Sequence, residues 1–449
     1  MLWSDPPRIF RSVISLLPSD TSLLICNVWW FPLPLQYPAE NASTPGWPSR
    51  RLKFIVLRPN LSTDEKRQRA FVASLRGKKT FSVNLFIFAL ELGNGKRANS
   101  ELPEVFQTKR KVVSLSCGAL FTGVVTTDGK VATSGCGNSH NHMKTDNASL
   151  PPFQISCGCW HACAITDEGQ VLSWGFGRQH GVFGCDGDKN VIIPTLITSL
   201  QTVRIAGVSC GNNFTLAWTS DGEALSWGYG HYGVLGHGDE IDQTNPKRIQ
   251  AFDNEKVVNM NAGFAHCGAV TESGGVFMFG KGKDHALGLG KVSGDQMTPK
   301  SLKVLSDARI LGLSCSVGEH HGHTLAVDDS GTVHSWGDGY KGKLGLGDTE
   351  SRLVPTQIPQ KNFNGEFITQ VSAGGIHSAA VSREGHVFTW GCGSDGRLGH
   401  PEAKGHRYLF KSDVPRVVDF LEKVGKVKGV SCSYYHTAAM VTTSRTKDK

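Results

Sequence analysis

The frame Gly-x-Gly, met in the same context beginning at Gly93, Gly135, Gly175, Gly228, Gly280, Gly337 and Gly391, constrains this chain more than any other feature. Its intervals are 42, 40, 53, 52, 57 and 54 residues. At such periods each copy is one supersecondary unit that buries its apolar face only by stacking on its neighbours. Spacing inside a unit is stricter than the period. An aromatic or histidine (Phe121, His161, Phe214, His266, His323, His377) stands eight residues before a turn glycine (Gly129, Gly169, Gly222, Gly274, Gly331, Gly385), and Gly-x-Gly begins six residues after that turn.

The residues between these markers alternate with the two-residue period of half-buried strands. Val125, Ile165, Trp218, Val270, Val327 and Val381 sit on a strand before the turn, and Val131, Val171, Ala224, Val276, Val333 and Val387 open a second one. That second strand ends at Trp174, Trp227, Phe279, Trp336 or Trp390. Each unit is therefore a β-hairpin whose Asp-Gly, Glu-Gly or Ser-Gly turn needs a glycine, with an aromatic placed to pack between units. Leu-Gly pairs (Leu235-Gly236, Leu287-Gly288, Leu344-Gly345, Leu398-Gly399), a polar loop and Pro246, Pro299 or Pro355 follow, which leaves room for outer strands.

These patterns predict an all-β, seven-bladed β-propeller over residues 85–441, with the first two blades short enough to lack an outer strand. Closure is expected from the chain ends. Residues 430–440 repeat the first hairpin strand with His436 in phase but no Gly-x-Gly after it, and residues 85–95 have the converse defect, so the N- and C-terminal strands are expected to pair.

The 53 glycines among 449 residues fit an architecture of many tight turns. The net charge of +8 is uneven. Residues 1–84 hold 12 Lys and Arg against 5 Asp and Glu, so a basic, Pro-containing, poorly ordered extension carries +7 and the rest +1. Weak nucleic-acid or chromatin contact is accordingly expected only through residues 1–84, and 442–449 reads as a tail. The apolar run 23–35 is broken by Pro32 and Pro34 and is too short to span a bilayer, so no membrane partner is expected. Of twelve cysteines, Cys117, Cys157, Cys210, Cys315 and Cys432 share one repeat phase. They read as reduced, buried, small apolar groups in a nuclear or cytoplasmic protein.

The ordered elements Ser-Cys-Gly-x-x-His and Thr-Asp-x-Gly-x-Val in residues 156–175, and Trp-Gly-x-Gly-x-x-Gly-x-Leu-Gly-x-Gly in 336–347, resemble the regulator of chromosome condensation repeat family. The resemblance implies a guanine nucleotide exchange factor-like propeller acting on a Ran-type small GTPase. The alternative within the family is a non-catalytic protein-interaction propeller, a scaffold or a chromatin or GTPase docking module. Carried over by position, the GTPase-binding face is expected to hold Trp160, His161, Asn212, Asn213, His266, Glu319, His320, His323, His377, Tyr435 and His436. A wedge against the nucleotide is expected in residues 175–184, with Arg178, Gly181, Val182 and Phe183. Only Glu319 is acidic in these loops, and Phe121 and Phe214 replace histidine, which departs from the pattern of working exchange factors. A ubiquitin-ligase reading is disfavoured by the short stretch after the last repeat strand, and a UV-B photoreceptor reading by the absence of repeated Gly-Trp-Arg-His-Thr loops.

Other motifs dissolve into the repeat. Three matches to Gly-x-Gly-x-x-Gly, beginning at Gly228, Gly337 and Gly391, precede strand and turn signals rather than the helix that a dinucleotide site needs, so no cofactor is expected. Cys157, Cys159, His161 and Cys163 alternate along one strand, which cannot wrap four ligands around one ion, so no metal is expected there. His320, His321 and His323 fall in a four-residue insertion relative to the other units. The recurrent histidines have a structural reading as hydrogen-bonded links between inner strands. With no paired carboxylates and no nucleophile beside a base at a unique site, exchange is the only activity to weigh; hydrolysis and group transfer have no support.

Overall fold

The computed structural model describes residues 83–88, 104–106, 111–119, 121–135, 152–175, 181–184, 191–291, 294–400 and 411–442. The basic extension up to residue 82 and the tail beyond Thr442 lie outside the described residues. The strands form seven antiparallel sheets. One has three strands: Val112–Cys117, Phe121–Thr126 and Val131–Gly135. The next runs Pro152–Cys157, His161–Thr166, Val171–Gly175 and Val191–Leu196, and a third Ile205–Cys210, Phe214–Thr219, Ala224–Gly228 and Gln243–Arg248. The fourth comprises Val257–Ala262, His266–Thr271, Val276–Gly280 and Gln296–Ser301; the fifth Ile310–Cys315, His323–Asp328, Val333–Gly337 and Arg352–Gln357; the sixth Ile368–Ala373, His377–Ser382, Val387–Cys392 and Lys411–Val417. The last sheet is composite, ordered Glu104–Phe106, Val83–Phe88, Thr437–Thr442 and Lys426–Cys432.

The expectation of seven blades is corrected here: six blades, not seven, carry the full four strands. Among the described residues the remaining sheet has three strands; residues 136–151, between Gly135 and Pro152, lie outside them, whereas the chain between Gly175 and Ile205 holds the outer strand Val191–Leu196. Of the two units read as short, the other finds its fourth strand in the composite sheet, where Glu104–Phe106 pairs with Val83–Phe88. In that sheet Val83 pairs with Thr442 and Phe88 with Thr437. The first paired residue is Val83, two before the expected start.

The inner strand of each sheet presents one edge with no strand beside it, and its amides need partners. At least one donor per sheet finds a side-chain oxygen on the preceding inner strand, and two sheets have a second, Ile155 to Ser114 and Val430 to Gln370. The amide of Cys157 donates to Ser116 Oγ at 2.9 Å, Cys210 to Ser156 at 2.9 Å and Ala262 to Ser209 at 2.9 Å. Cys315 donates to Asn261 Oδ1 at 2.7 Å, Ala373 to Ser314 and Cys432 to Ser372, each at 2.9 Å. The circuit closes where the amide of Cys117 donates to Ser431 Oγ at 2.9 Å across 314 residues.

The apolar core lies between sheets. Leu325, Val327 and Val333 of one sheet pack with Ile368, Val371, Phe388 and Trp390 of the next, and the other clusters repeat that arrangement. Trp227, Trp336 and Trp390 are fully buried. Each indole donates to a carbonyl of the preceding unit, at Val182 (3.1 Å), Ala286 (2.8 Å) and Lys343 (2.8 Å). The buried N–H is thus paired, and the aromatic at the end of the third strand locks two blades together.

Removing one acceptor from the inner circuit leaves a buried amide unpaired. Ser372→Ala and Ser209→Ala are each expected to destabilise the chain by about 1–3 kcal/mol, read as a lower urea midpoint at unchanged slope. Midpoints equal to the unmodified chain would show that the circuit carries no stability.

Candidate functional site

The Gly-x-x-His segments lead from the inner strand of each sheet into the second. The third strand ends opposite the start of the second, His161 facing Gly175 and Phe214 facing Gly228, so the loops after Gly-x-Gly leave from the same end. Both loop sets form one face. Its glycines answer to close approach: a Cβ on Gly158 would lie 2.2 Å from the Gly211 carbonyl oxygen, and one on Gly118 would lie 2.5 Å from that of Gly158.

The expected face histidines divide sharply. His161, His266, His323, His377 and His436 are buried. Each places Nε2 on a hydroxyl of the next blade: His161 on Thr215 (2.8 Å), His266 on Thr324 (3.0 Å), His323 on Ser378 (2.9 Å), His377 on Thr437 (2.8 Å) and His436 on Thr122 (2.7 Å). The partner always follows the histidine slot directly. Where the slot holds Phe121 or Phe214, the residue in the partner position is Ala162 or Cys267. Thr324, Ser378 and Thr437 donate their own protons to the carbonyls of Ala286, Lys343 and Arg397. They therefore accept from Nε2–H, which fixes the tautomer of His266, His323 and His377. Burial lowers His161 to about 3 and His266 and His436 to about 4, from an ordinary 6.5. It holds His323 and His377 well below 6.5, with Lys343 and Arg397 nearby adding to the effect. These five imidazoles are neutral links between blades.

The other expected residues reach solvent. Trp160 is 52% exposed and Tyr435 41%. Glu319 and His320 are exposed, and Asn212 and Asn213 half-buried. The insertion over residues 316–322 brings them into one neighbourhood. Ser316 anchors its base, donating its amide to the His323 carbonyl at 3.0 Å and accepting the Phe264 amide at 2.9 Å. His321, held in the left-handed region at φ 61°, stacks on Tyr340 at 4.6 Å and contacts Asp338 at 3.3 Å. Val317 meets the loops of four other sheets, lining one cleft with Gly118, Cys159, Gly211 and Gly263. Burial pushes the Cys159 thiol up to about 12, with the Glu319 carboxylate adding to the shift; Glu319 also contributes to raising Tyr434. Val317 of the fifth blade's insertion therefore shares one cleft with loop residues of the first four sheets, among them Cys159 beside Trp160.

Residues 181–184 form a copy of the turn found at Val234-Leu235, Ala286-Leu287 and Lys343-Leu344. Val182 and Phe183 are buried, and a Cβ on Gly181 would lie 2.2 Å from Thr244 Cα. They pack against the next blade rather than projecting; Arg178 lies outside the described residues. Sequence reasoning missed Tyr340, Asp338 and Lys343, which occupy variable positions of the repeat. Lys343 is fully buried beside Asp338, where burial lowers it to about 8 against the pull of that carboxylate. Its slot holds Ala286 in the preceding blade and the buried Arg397 in the following one, so only the fold reveals the pair with Asp338.

The histidine links make stability depend on pH. Their folded-state values are depressed, so the unfolded chain takes up protons first as pH falls. The stability they contribute is complete above about 6.5 and declines from there towards about 4, at up to about 1.4 kcal/mol per pH unit for each histidine. His436→Phe combined with Thr122→Ala recreates the Phe121–Ala162 pairing and is expected to flatten that slope by about one proton. A pH series of urea midpoints checks this; an unchanged slope would mean that His436 titrates alike in both states.

Comparison with known proteins follows the same architecture. The RCC1-like domain family profile matches residues 89–439. Human HERC2, an E3 ubiquitin-protein ligase, is 38% identical over 222 residues, 49% of this chain and 4% of HERC2. The ultraviolet-B receptor UVR8 of Arabidopsis thaliana is 32% identical over 248 residues, 55% of this chain and 53% of UVR8. The chain thus spans a small part of HERC2 and about half of UVR8. The fold is that of Saccharomyces cerevisiae Prp20p, with a TM-score of 0.67 at 19% identity over 84% of this chain and 95% of that one. A glycine-framed hairpin repeat, blades joined through inner-strand oxygens and a profile match across the whole propeller together make this chain a member of the RCC1-like domain family.

Proposed function

We propose that the chain is a protein-docking propeller whose partner sits on the Gly-x-x-His face, centred on the insertion at 316–322. The observation that carries this reading is the exposure of Glu319 and His320 on an insertion whose Val317 shares a cleft with loops of four other blades, together with exposed Trp160 and Tyr435 on the same set of loops. Large, accessible aromatic side chains around a polar centre are the composition of interface anchors, where a few residues dominate affinity. The Asn212 and Asn213 amides add hydrogen-bonding groups at the rim.

A small GTPase is the partner class to test first, because Prp20p, which shares the fold, is described by its binding to Gsp1p and histones. Exchange on a Ran-type GTPase is the finer reading. The burial of Val182 and Phe183 weighs against a wedge built from them, so docking stands ahead of exchange. Contact of residues 1–84 with chromatin and a nuclear or cytoplasmic location belong to the same proposal. No helix among the described residues is long and apolar enough to cross a membrane.

The full chain is to be presented to a panel of nucleotide-free small GTPases and to histones. Trp160→Ala and Tyr435→Ala are each expected to weaken the captured partner by about tenfold or more, about 1.4 kcal/mol, with thermal stability unchanged. Undiminished binding by both variants would remove the face from consideration. Release of fluorescent GDP from Ran no faster than the intrinsic rate would leave docking without exchange.

A further inference from the structure

One blade junction differs chemically from the rest. Between the second and third sheets, His161, Cys163 and Cys210 are all buried, with one ligand atom of each within 4.8 Å of the others. The repeat accounts for His161 as a blade link and for Cys210 at the phase of Cys117, Cys157, Cys315 and Cys432. It does not account for Cys163. Its slot holds Gly123, Leu216, Gly268, Leu325, Ala379 and Ala438 in the other sheets, and the next blade opposes these with Cys157, Ala262, Cys315, Ala373, Cys432 and Cys117. Every other junction sets one cysteine against glycine or alanine, or leucine against alanine. Among the described residues, this is the junction at which both of these slots hold cysteine.

The histidine here differs from three of the other links and shares its pattern with His436, whose Thr122 partner also has a cysteine sulphur, Cys117 Sγ, at 3.8 Å. At the junctions of His266, His323 and His377, the partner hydroxyl gives its proton to a carbonyl and so fixes Nε2–H. Thr215 instead has His161 Nε2 at 2.8 Å and Cys163 Sγ at 4.0 Å around its hydroxyl. Either direction of the His161–Thr215 bond is open, so His161 can carry its proton on Nδ1 and hold one lone pair on Nε2, which goes either to the Thr215 proton or to a cation. Nδ1 of His161 is buried without a partner.

From the juxtaposition of His161, Cys163 and Cys210 across two blades, we propose a structural site for a thiophilic divalent cation, zinc. The expectation that Cys157, Cys159, His161 and Cys163 share one strand is corrected: Cys157 ends Pro152–Cys157, Cys159 lies in the turn, and His161 and Cys163 lie on His161–Thr166. The third sheet supplies Cys210 from a second direction, and the Thr215 hydroxyl stands beside the same three groups. Two thiols lose their protons to solvent as zinc binds, and two thiolates with a neutral imidazole cancel its charge. A buried site needs that neutrality, and sulphur and nitrogen donors match zinc. Such an ion would fasten the second blade to the third.

The repeat also supplies variants that keep the packing, because alanine already fills the Cys163 slot at 379 and 438 and the Cys210 slot at 262 and 373. Full-length protein, produced without a histidine tag in zinc-supplemented medium, is to be dialysed against EDTA to strip surface metal and then analysed for zinc. A second preparation is to be refolded with cobalt and read for thiolate-to-cobalt charge-transfer absorption. The expected result is zinc equimolar with the chain and a cobalt–thiolate band, both lost in Cys163→Ala and Cys210→Ala and kept in Cys315→Ala, with circular dichroism alike in all. Zinc near background in the unmodified chain, metal retained in both alanine variants, or a Cys163–Cys210 disulfide in protein purified without reductant would each overturn the assignment.

Discussion

The amide-to-oxygen bonds between successive inner strands are the constraint on which the rest of this structure depends. A sheet that stacks on its neighbours buries its faces, but the inner strand still presents an edge of unpaired amides near the axis. Placing Ser116, Ser156, Ser209, Asn261, Ser314, Ser372 and Ser431 one position before the residue that donates converts this edge into a continuous circuit. Since the last bond joins Ser431 to Cys117, the circuit is complete only when the end of the chain has folded back on its beginning.

Two further layers follow the same logic outwards. The histidine or phenylalanine at the start of the second strand meets the next blade with a matched partner, hydroxyl for imidazole and a residue without one for phenyl. The buried aromatic at the end of the third strand sends its indole proton to a carbonyl of the preceding unit. Polar and apolar contacts thus alternate with distance from the axis, and each junction is satisfied by residues at fixed phase. Each linking histidine is paired through Nε2 at fixed phase, and such directional buried bonds specify one arrangement of blades as well as stabilising it. For the same reason the five histidines are poor candidates for contact with a partner: their polar atoms are turned inwards, and the rigid frame they help to build leaves function to the residues between the glycine and the histidine.

Much of this was legible in the residues. The offsets from Phe121, His161 and their counterparts to the turn glycines located the hairpins, and the truncated copy around His436 located the closing strand. The structural reading of the recurrent histidines agrees with their burial and bonding. Blade count was misjudged because each Gly-x-Gly was taken for one blade, whereas it marks only the third strand of a unit; of the two short units expected to lack an outer strand, the first has one in Glu104–Phe106. The wedge was placed on Val182 and Phe183 by position, while their apolar character already matched the buried Val234-Leu235 turn one blade on.

What the sequence by itself determined was the unit, its strands and its closure, since period-two alternation and turn glycines are local properties that each copy restates. What only the tertiary structure decided was which residues meet across a junction. Cys163 and Cys210 are 47 positions apart and belong to different phases of the repeat, so no spacing rule joins them. Glu319 similarly reaches the neighbourhood of Trp160 and Tyr435 only because the sheets are arranged around an axis and an insertion in one shares a cleft with loops of four others. Contacts between blades depend on how separate copies are stacked in space, and a linear pattern holds no direct record of that.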